Sequence, residues 1–301
     1  LTLEQGLAEF LTHLGLEKNA SDKTVKSYRE DLTQALSFAR ERLKKGHIDP
    51  ADWNTRLLRA FVAWLHEHDY AKTTVARRLA AIRSFGKFLC RQGVLAENPA
   101  KSLRGPRQER RLPHFLTLAD VKKLLATPSE NDWAGRRDRA ILETLYSAGI
   151  RVSELVGLDI LDADLNDGVA VVRGKGKRER IALLGPRAAE VISLWLPDRK
   201  ALIERLGTET SAVFINKNGG RLTTRSVGRL LEGHLKTAGL DPRTTPHTIR
   251  HSFATHMLDA GADIRGVQEL LGHKSLATTQ VYTHLTTKRI QQAYQKAHPR
   301  S

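Results

Sequence analysis

The chain has 301 residues, 40% hydrophobic and 27% charged, with 49 Lys and Arg against 33 Asp and Glu for a formal charge of +16. That is apolar material for two cores at roughly 150 residues per domain, and it excludes a wholly disordered chain. The single cysteine, Cys90, excludes an intrachain disulfide and any zinc site built on two thiolates, and the basic surplus favours polyanionic partners, nucleic acid before an anionic membrane.

The first hundred residues read as helices. Leu3, Leu7, Phe10, Leu11 and Leu14 recur at helical spacing. A second helix starts near Ser21, carries Val25, Tyr28, Leu32, Leu36 and Leu43 inside, and stops near Gly46. Pro50 leads to a third, with Leu57, Leu58, Phe61, Val62 and Leu65. A fourth spans Thr73 to Gln92 and ends at Gly93; Cys90 falls in its apolar run as a small core residue. On a wheel, Val75, Leu79, Ile82, Phe85, Gly86 and Leu89 fall on one side of it. Arg77, Arg83, Lys87 and Arg91 share the other side with no acid among them, which reads as a phosphate-tracking face and, alternatively, as an ordinary solvated one.

Residues 104–114, RGPRQERRLPH, combine two prolines, a glycine and arginines without apolar periodicity and read as a basic linker beside the polyanion. The expected organisation is a helical domain over 1–103, this linker, and a second domain over 115–301. No run approaches the ~18 apolar residues of a membrane span. LTLEQGLAEF lacks the pattern of a signal peptide, so the chain reads as reduced and cytoplasmic.

The second domain opens with Thr117 as an N-cap and Asp120 three positions on. A helix covers Asn131 to Ala148 and stops at Gly149. Val169, Val171 and Val172, then GKGK, then Ile181, Leu183 and Leu184 predict a hairpin with a glycine-lysine tip. Helices resume near Pro186, and Val213-Phe214-Ile215 predicts a short strand before the Asn218-Gly219-Gly220 turn. The rest reads as helical, which makes the domain α+β and mostly α.

The chemistry concentrates in a few stretches. In PHTIRHSFATH, Thr245 is an N-cap, Pro246 suits the first helical position, and His247 and Arg250 project from one face of the first turns. With the helix N-terminus they can hold one phosphate. In YSAGIRVSEL, Arg151 follows the Gly149 stop and Glu154 lies three residues on. Lys175 sits at the hairpin tip, His273 follows the Gly272 stop, and Tyr282 lies nine residues later. Each has an ordinary explanation alone: a capping histidine, a surface ion pair, a solvated lysine, a half-buried aromatic. Together they supply guanidinium groups for phosphate oxygens, a phenol as nucleophile, and lysine or histidine as proton donors, with no carboxylate pair or thiolate for a metal.

The segments YSAGIRVSELVGL, GKGKRERIAL, HTIRHSFATHML and LLGHKSLATTQVYTH, in this order and spacing, resemble the tyrosine recombinase (phage integrase) family, Xer branch. KTVKSYREDL, TTVARRLAAIRSF and ENPA extend the resemblance over nearly the whole chain. It implies a mainly α fold with a small β-sheet: an N-terminal SAM-like core-binding helical bundle and a C-terminal α+β catalytic domain, together forming a clamp around DNA. It implies Tyr282 as the nucleophile that forms a 3′-phosphotyrosyl bond. Arg151 and Arg250 would clamp the phosphate, and His273 would donate a further hydrogen bond. His247 would assist or orient the tyrosine, Lys175 would protonate the leaving 5′-oxygen, and Glu154 would support the centre. Lys177 lies on the same loop, and spacing from Arg151 favours Lys175.

No cofactor and no metal are implied. The implied partners are a double-stranded DNA recombination site, a second, XerD-like recombinase in a heterotetramer, and a septal DNA translocase, with no membrane insertion. The implied role is resolution of chromosome and plasmid dimers at dif-like sites during cell division, in the nucleoid. A helix over Thr286 to Ala297, with Ile290, Ala293, Tyr294 and Ala297 on one side, would dock on a neighbouring subunit or cap its own core. Arg221, Thr223, Thr224 and Arg225, at a helix start, are the expected base-reading group. A mobile-element integrase, a topoisomerase-like enzyme, a non-catalytic DNA-binding protein and a histidine metal site (His247, His251, His256, His273) are the competing readings.

Overall fold

The structure is a computed structural model and describes residues 2–18, 20–106, 114–174, 179–272, 294 and 297–299. The chain divides into two compact units, Leu1–Leu112 and Pro113–Ser301.

The first unit is built from α1 (Leu3–Leu16), α2 (Asp22–Leu43), α3 (Thr55–Glu67) and α4 (Lys72–Arg91), with a 3-10 turn at Pro50–Asp52. Side-chain caps fix three of the starts. Thr2 forms a capping box with Gln5, Ser21 accepts from the Thr24 N–H, and Asn54 accepts from the Leu57 N–H. Phe10, Trp53, Phe61 and Phe85 are among its largest fully buried side chains. The predicted apolar side of α4 is buried as expected. Its basic side is partly spent inside the unit. Arg77 pairs with Asp31 of α2 and donates to Ser27 Oγ at 2.6 Å. Arg83 donates to the carbonyls of Ala100 and Leu103. Arg91 lies 3.4 Å from His13 Nε2, and Lys87 is exposed. The wheel lacked acids because Asp31 arrives from another helix. Cys90 is half-buried.

The second unit contains α5 (Leu118–Leu125), α6 (Trp133–Ser147), α7 (Val152–Val156), β1 (Ala163–Asp164), β2 (Val169–Arg173), β3 (Glu179–Leu183), α8 (Pro186–Leu206), α9 (Thr224–Ala238), α10 (Pro246–Asp259) and α11 (Ile264–Leu271). The strands form an antiparallel sheet in the order β1-β2-β3, with Ala170 opposite Ala182 and Val172 opposite Arg180. The small first strand was not expected from the sequence. Thr117 and Asp120 form the expected capping box, and Thr245 caps α10 with Pro246 at its start.

Val213-Phe214-Ile215 does not extend the sheet; only isolated bridges form there, Asp159 with Ala212 and Ile215 with Arg221. Side chains of α8 take acceptors that a strand would use: Trp195 Nε1 donates to Val213 O at 2.9 Å, and Arg199 Nε to Ala212 O at 2.7 Å. Near the C-terminus, Tyr294 and Ala297 are buried against the core of their own unit. The Tyr294 hydroxyl lies 2.7 Å from Ser147 Oγ and donates to Ser147 O at 3.0 Å. Ile290 and Ala293 lie outside the described residues. No described helix is long and apolar enough to cross a membrane.

Candidate active site

Helix α6 ends where Gly149 takes φ +54, and a side chain there would run into the ring of Phe253. This turn exposes the Gly149 carbonyl and delivers Arg151 to the start of α7. Glu154, one turn along, is 1% exposed. Its Oε2 accepts from the Arg151 N–H at 2.8 Å, and its Oε1 from Arg151 Nη1 at 2.9 Å. The side chain thus serves as a helix-start acceptor and as the counter-ion that orients the guanidinium.

Two further arginines meet the same place. Arg180, from β3, donates through Nη2 to Glu154 Oε2 at 2.8 Å and through Nη1 to Leu270 O at 2.7 Å. Arg250, from α10, is 8% exposed; it donates through Nη1 to Gly149 O at 2.5 Å and through Nη2 to Leu271 O. The last carbonyls of α11 lack helical partners, and arginine forks from two other elements satisfy two of them. Gly272 closes α11 in the left-handed conformation, φ +64.

Three guanidinium groups thus surround one carboxylate, an excess of two positive charges. Burial by itself would raise the pKa of Glu154. The Arg180 charge and the hydrogen bonds from Arg151 outweigh that and hold it below the ordinary carboxylate value, so the group is ionised at neutral pH. Burial drives Arg250 down to about 10, and the neighbouring charges of Arg151 and Arg180 push the same way against Glu154. Arg250 still carries its charge at pH 7. Such a site favours a bound anion with several oxygens, and Arg151, a third exposed, is the member nearest solvent.

Of the residues singled out from sequence, the structure brings Arg151, Glu154 and Arg250 together. His247 sits exposed in the first turn of α10. Lys175, His273 and Tyr282 lie outside the described residues, although β2 and β3 form the hairpin expected to carry Lys175. Of the expected base-reading group, Arg221 faces inward. It donates to Val156 O at 2.9 Å and pairs with Asp159, securing the end of α7. Thr223 is the N-cap of α9, accepting from the Ser226 N–H at 3.1 Å, Thr224 is half-buried, and Arg225 is exposed. His256 is buried, with Nδ1 2.9 Å from the Tyr146 hydroxyl, and burial lowers its pKa. Among the described residues no three His, Cys, Asp or Glu side chains are placed to hold a metal.

Sequence reasoning missed Arg180. The signal was available: alternation along RERIAL puts Arg180 on the face of Ala182, which is the core side of the strand.

Comparison with known proteins places these features. The phage integrase family matches residues 114–289, and the phage integrase N-terminal SAM-like domain matches residues 7–93. The chain belongs to the phage integrase family and is a site-specific DNA recombinase of the tyrosine type. Within that family it is similar along nearly its full length to XerC tyrosine recombinases. It is 42% identical to the XerC of Pelotomaculum thermopropionicum, over 97% of this chain and 97% of the relative. It is 43% identical to that of Pelobacter propionicus, over 99% and 97%. Its fold is similar to that of XerH recombinase bound to palindromic difH substrate in a post-cleavage complex, with a TM-score of 0.71 and 23% identity over 96% of this chain and 88% of the other.

Proposed function

We propose that this recombinase cuts and rejoins dif-like sites through a 3′-phosphotyrosyl intermediate and so resolves chromosome and plasmid dimers at cell division. It would act in the nucleoid with a second, XerD-like recombinase in a heterotetramer, under a septal DNA translocase. The observation that carries this reading is the buried cluster of Arg151, Arg180 and Arg250 around Glu154, which has two more positive charges than negative ones and already holds Arg151 and Arg250 by their hydrogen-bonding partners. Identity of about 40% to XerC recombinases along nearly the full length supports the cellular role.

In the proposed step the Tyr282 phenol oxygen bonds to phosphorus and the bond from phosphorus to the 5′-oxygen breaks. The phenolic proton leaves with help from His247, and Lys175 protonates the departing 5′-oxygen. Arg151, Arg250 and His273 stabilise the charge on the non-bridging oxygens. Each such donor contributes on the order of 10²–10³ in rate. The phosphodiester energy stays in the tyrosyl bond, so rejoining to a new 5′-hydroxyl uses no ATP, and none of these roles calls for a metal ion. Lys87, Arg91, Thr223, Thr224 and Arg225 supply DNA contacts; Arg77, Arg83 and Arg221 contribute by holding the surfaces that carry them.

The test is incubation with a nicked dif-like duplex and separation on a denaturing gel. The protein forms a covalent adduct that chelators leave unchanged, and Tyr282→Phe binds the duplex without forming it. An adduct that survives Tyr282→Phe removes the proposed nucleophile. A wild-type protein that binds but never forms an adduct removes the proposed chemistry.

A further inference from the structure

We propose that Arg180 is a positioning residue for recombination: by bridging Glu154 and the last turn of α11 it fixes the orientation in which Arg151 presents its guanidinium to the reacting phosphate. The proposal rests on the reading of Arg151 as a phosphate-clamping group.

Three observations carry it. First, Arg180 occupies the inner face of β3, opposite Val172 and two residues from the buried Ala182, where an apolar residue is the ordinary choice. Its Nε is buried and has no hydrogen-bond partner among the described residues. An apolar side chain would leave no donor unpaired, so packing is not what the arginine supplies.

Second, its two terminal nitrogens are committed to different elements, Glu154 Oε2 on α7 and Leu270 O on α11. Glu154 in turn holds Arg151 through both its backbone N–H and its guanidinium. A displacement of Arg180 is therefore transmitted to Arg151 through one carboxylate. A lysine has a single nitrogen and cannot reproduce the planar fork.

Third, the path of the side chain is built into the backbone. A Cβ on Gly272 would lie 2.6 Å from Arg180 Cδ and 2.8 Å from Nε. The glycine leaves room for the arginine stem to cross the end of α11.

The charges facing Glu154 are Arg151 at the start of its own helix, Arg180 from β3 and Arg250 from α10. Leu270 and Leu271 of α11 add carbonyls to the same cluster. With Arg180 removed, burial dominates at Glu154 and the carboxyl takes up a proton more readily. A protonated Glu154 gives up part of its hold on Arg151. An Arg180 variant should therefore lose activity progressively as the medium is acidified, in a range where the wild type does not respond to this group.

The experiment uses the full chain in excess over a nicked dif-like duplex and measures single-turnover adduct formation between about pH 5.5 and 8, together with DNA affinity and thermal unfolding. In Arg180→Gln, DNA affinity stays within about threefold of wild type. Adduct formation slows about 100-fold at neutral pH and further as pH falls. Arg180→Lys keeps the charge, so it restores the wild-type pH profile but only part of the rate. Adding Glu154→Gln to Arg180→Gln abolishes the extra loss on acidification and leaves only the pH response of the wild type, because no carboxyl remains at position 154 to titrate.

Equal adduct rates in wild type and Arg180→Gln overturn the proposal. So does a slowing that is the same at every pH, which is what a general loss of structure produces. If Arg180→Gln does not fold, the decision passes to Arg180→Lys, where a full wild-type rate overturns the proposal. Absence of an adduct from the wild type contradicts the reaction assigned above, and that failure is separate from any difference between variants.

Discussion

Each unit buries a carboxylate beside two arginines, and the two acids respond in opposite ways. Asp31 of α2 faces Arg77 and Arg78. Burial is its largest influence and wins, so its pKa is raised. Glu154 bonds to Arg151 and Arg180, with Arg250 beside them, and is the more deeply enclosed, yet its pKa is lowered. The difference lies in how the cations are held. Arg77 is half in water, where its charge is screened, and the Arg78 Nε stands 3.5 Å from the acid. Glu154 takes three N–H bonds at 2.8 to 2.9 Å, one of them from the backbone. Enclosure alone therefore does not separate the two acids; what sets Glu154 apart is its three short N–H bonds and the further guanidinium of Arg250 beside it.

The strongest challenge to this contrast is to remove each acid. Glu154→Ala leaves the enclosed guanidinium groups of Arg180 and Arg250, and the part-exposed one of Arg151, without their counter-ion and should cost about 3–5 kcal/mol in urea unfolding, whereas Asp31→Ala should cost about 1–2 kcal/mol because Arg77 can turn to water. Equal losses would erase the distinction.

Gly149→Ala should cost about 3 kcal/mol, since it combines a left-handed backbone with an encounter with Phe253, and it should slow adduct formation by shifting the carbonyl that anchors Arg250. Acid titration sharpens the comparison further. Stability contributed by Glu154 is present above its ordinary value of 4.5 and is lost as pH falls through its lowered pKa. Asp31 acts in the opposite sense, relieving its unit as pH falls through its raised pKa towards 3.8. Asp31→Asn should therefore remove a gain on acidification, and Glu154→Gln a loss, both read from unfolding midpoints.

Smaller effects concern the basic side of α4. Arg83→Ala gives up two carbonyl contacts and should cost about 1–2 kcal/mol of stability. Lys87→Ala should change stability by less than about 0.5 kcal/mol, weaken binding to every DNA sequence alike, and lower the salt slope by about 1.

The helices of both units were legible because apolar period and caps agree: Ser21, Thr117 and Thr245 all stand where helix starts need acceptors, while the Asn54 cap of α3 went unread. The Arg151–Glu154 pair and the start of α10 were legible for the same local reason. What escaped depends on partners distant in sequence. Asp31 neutralises Arg77 from 46 positions away, and Arg221 reaches back 65 positions to Val156. No pattern within one helix contains such information. Val213–Ile215 has strand composition, but its carbonyls are taken by Trp195 of α8, by the Leu222 N–H and by Arg137 of α6 rather than by a neighbouring strand. Arg180 lay between these cases: its inward direction follows from strand alternation, while its two acceptors do not.

The grip of Arg250 on Gly149 and Leu271 has a kinetic consequence. Of five guanidinium hydrogens, these carbonyls engage only two, so capacity for another acceptor persists after folding. The long side chain has already surrendered its rotational freedom by then. In the proposed reaction an arriving phosphodiester would meet a donor frozen in place, and the entropy that a floppy arginine would forfeit at that encounter would be absent from the barrier.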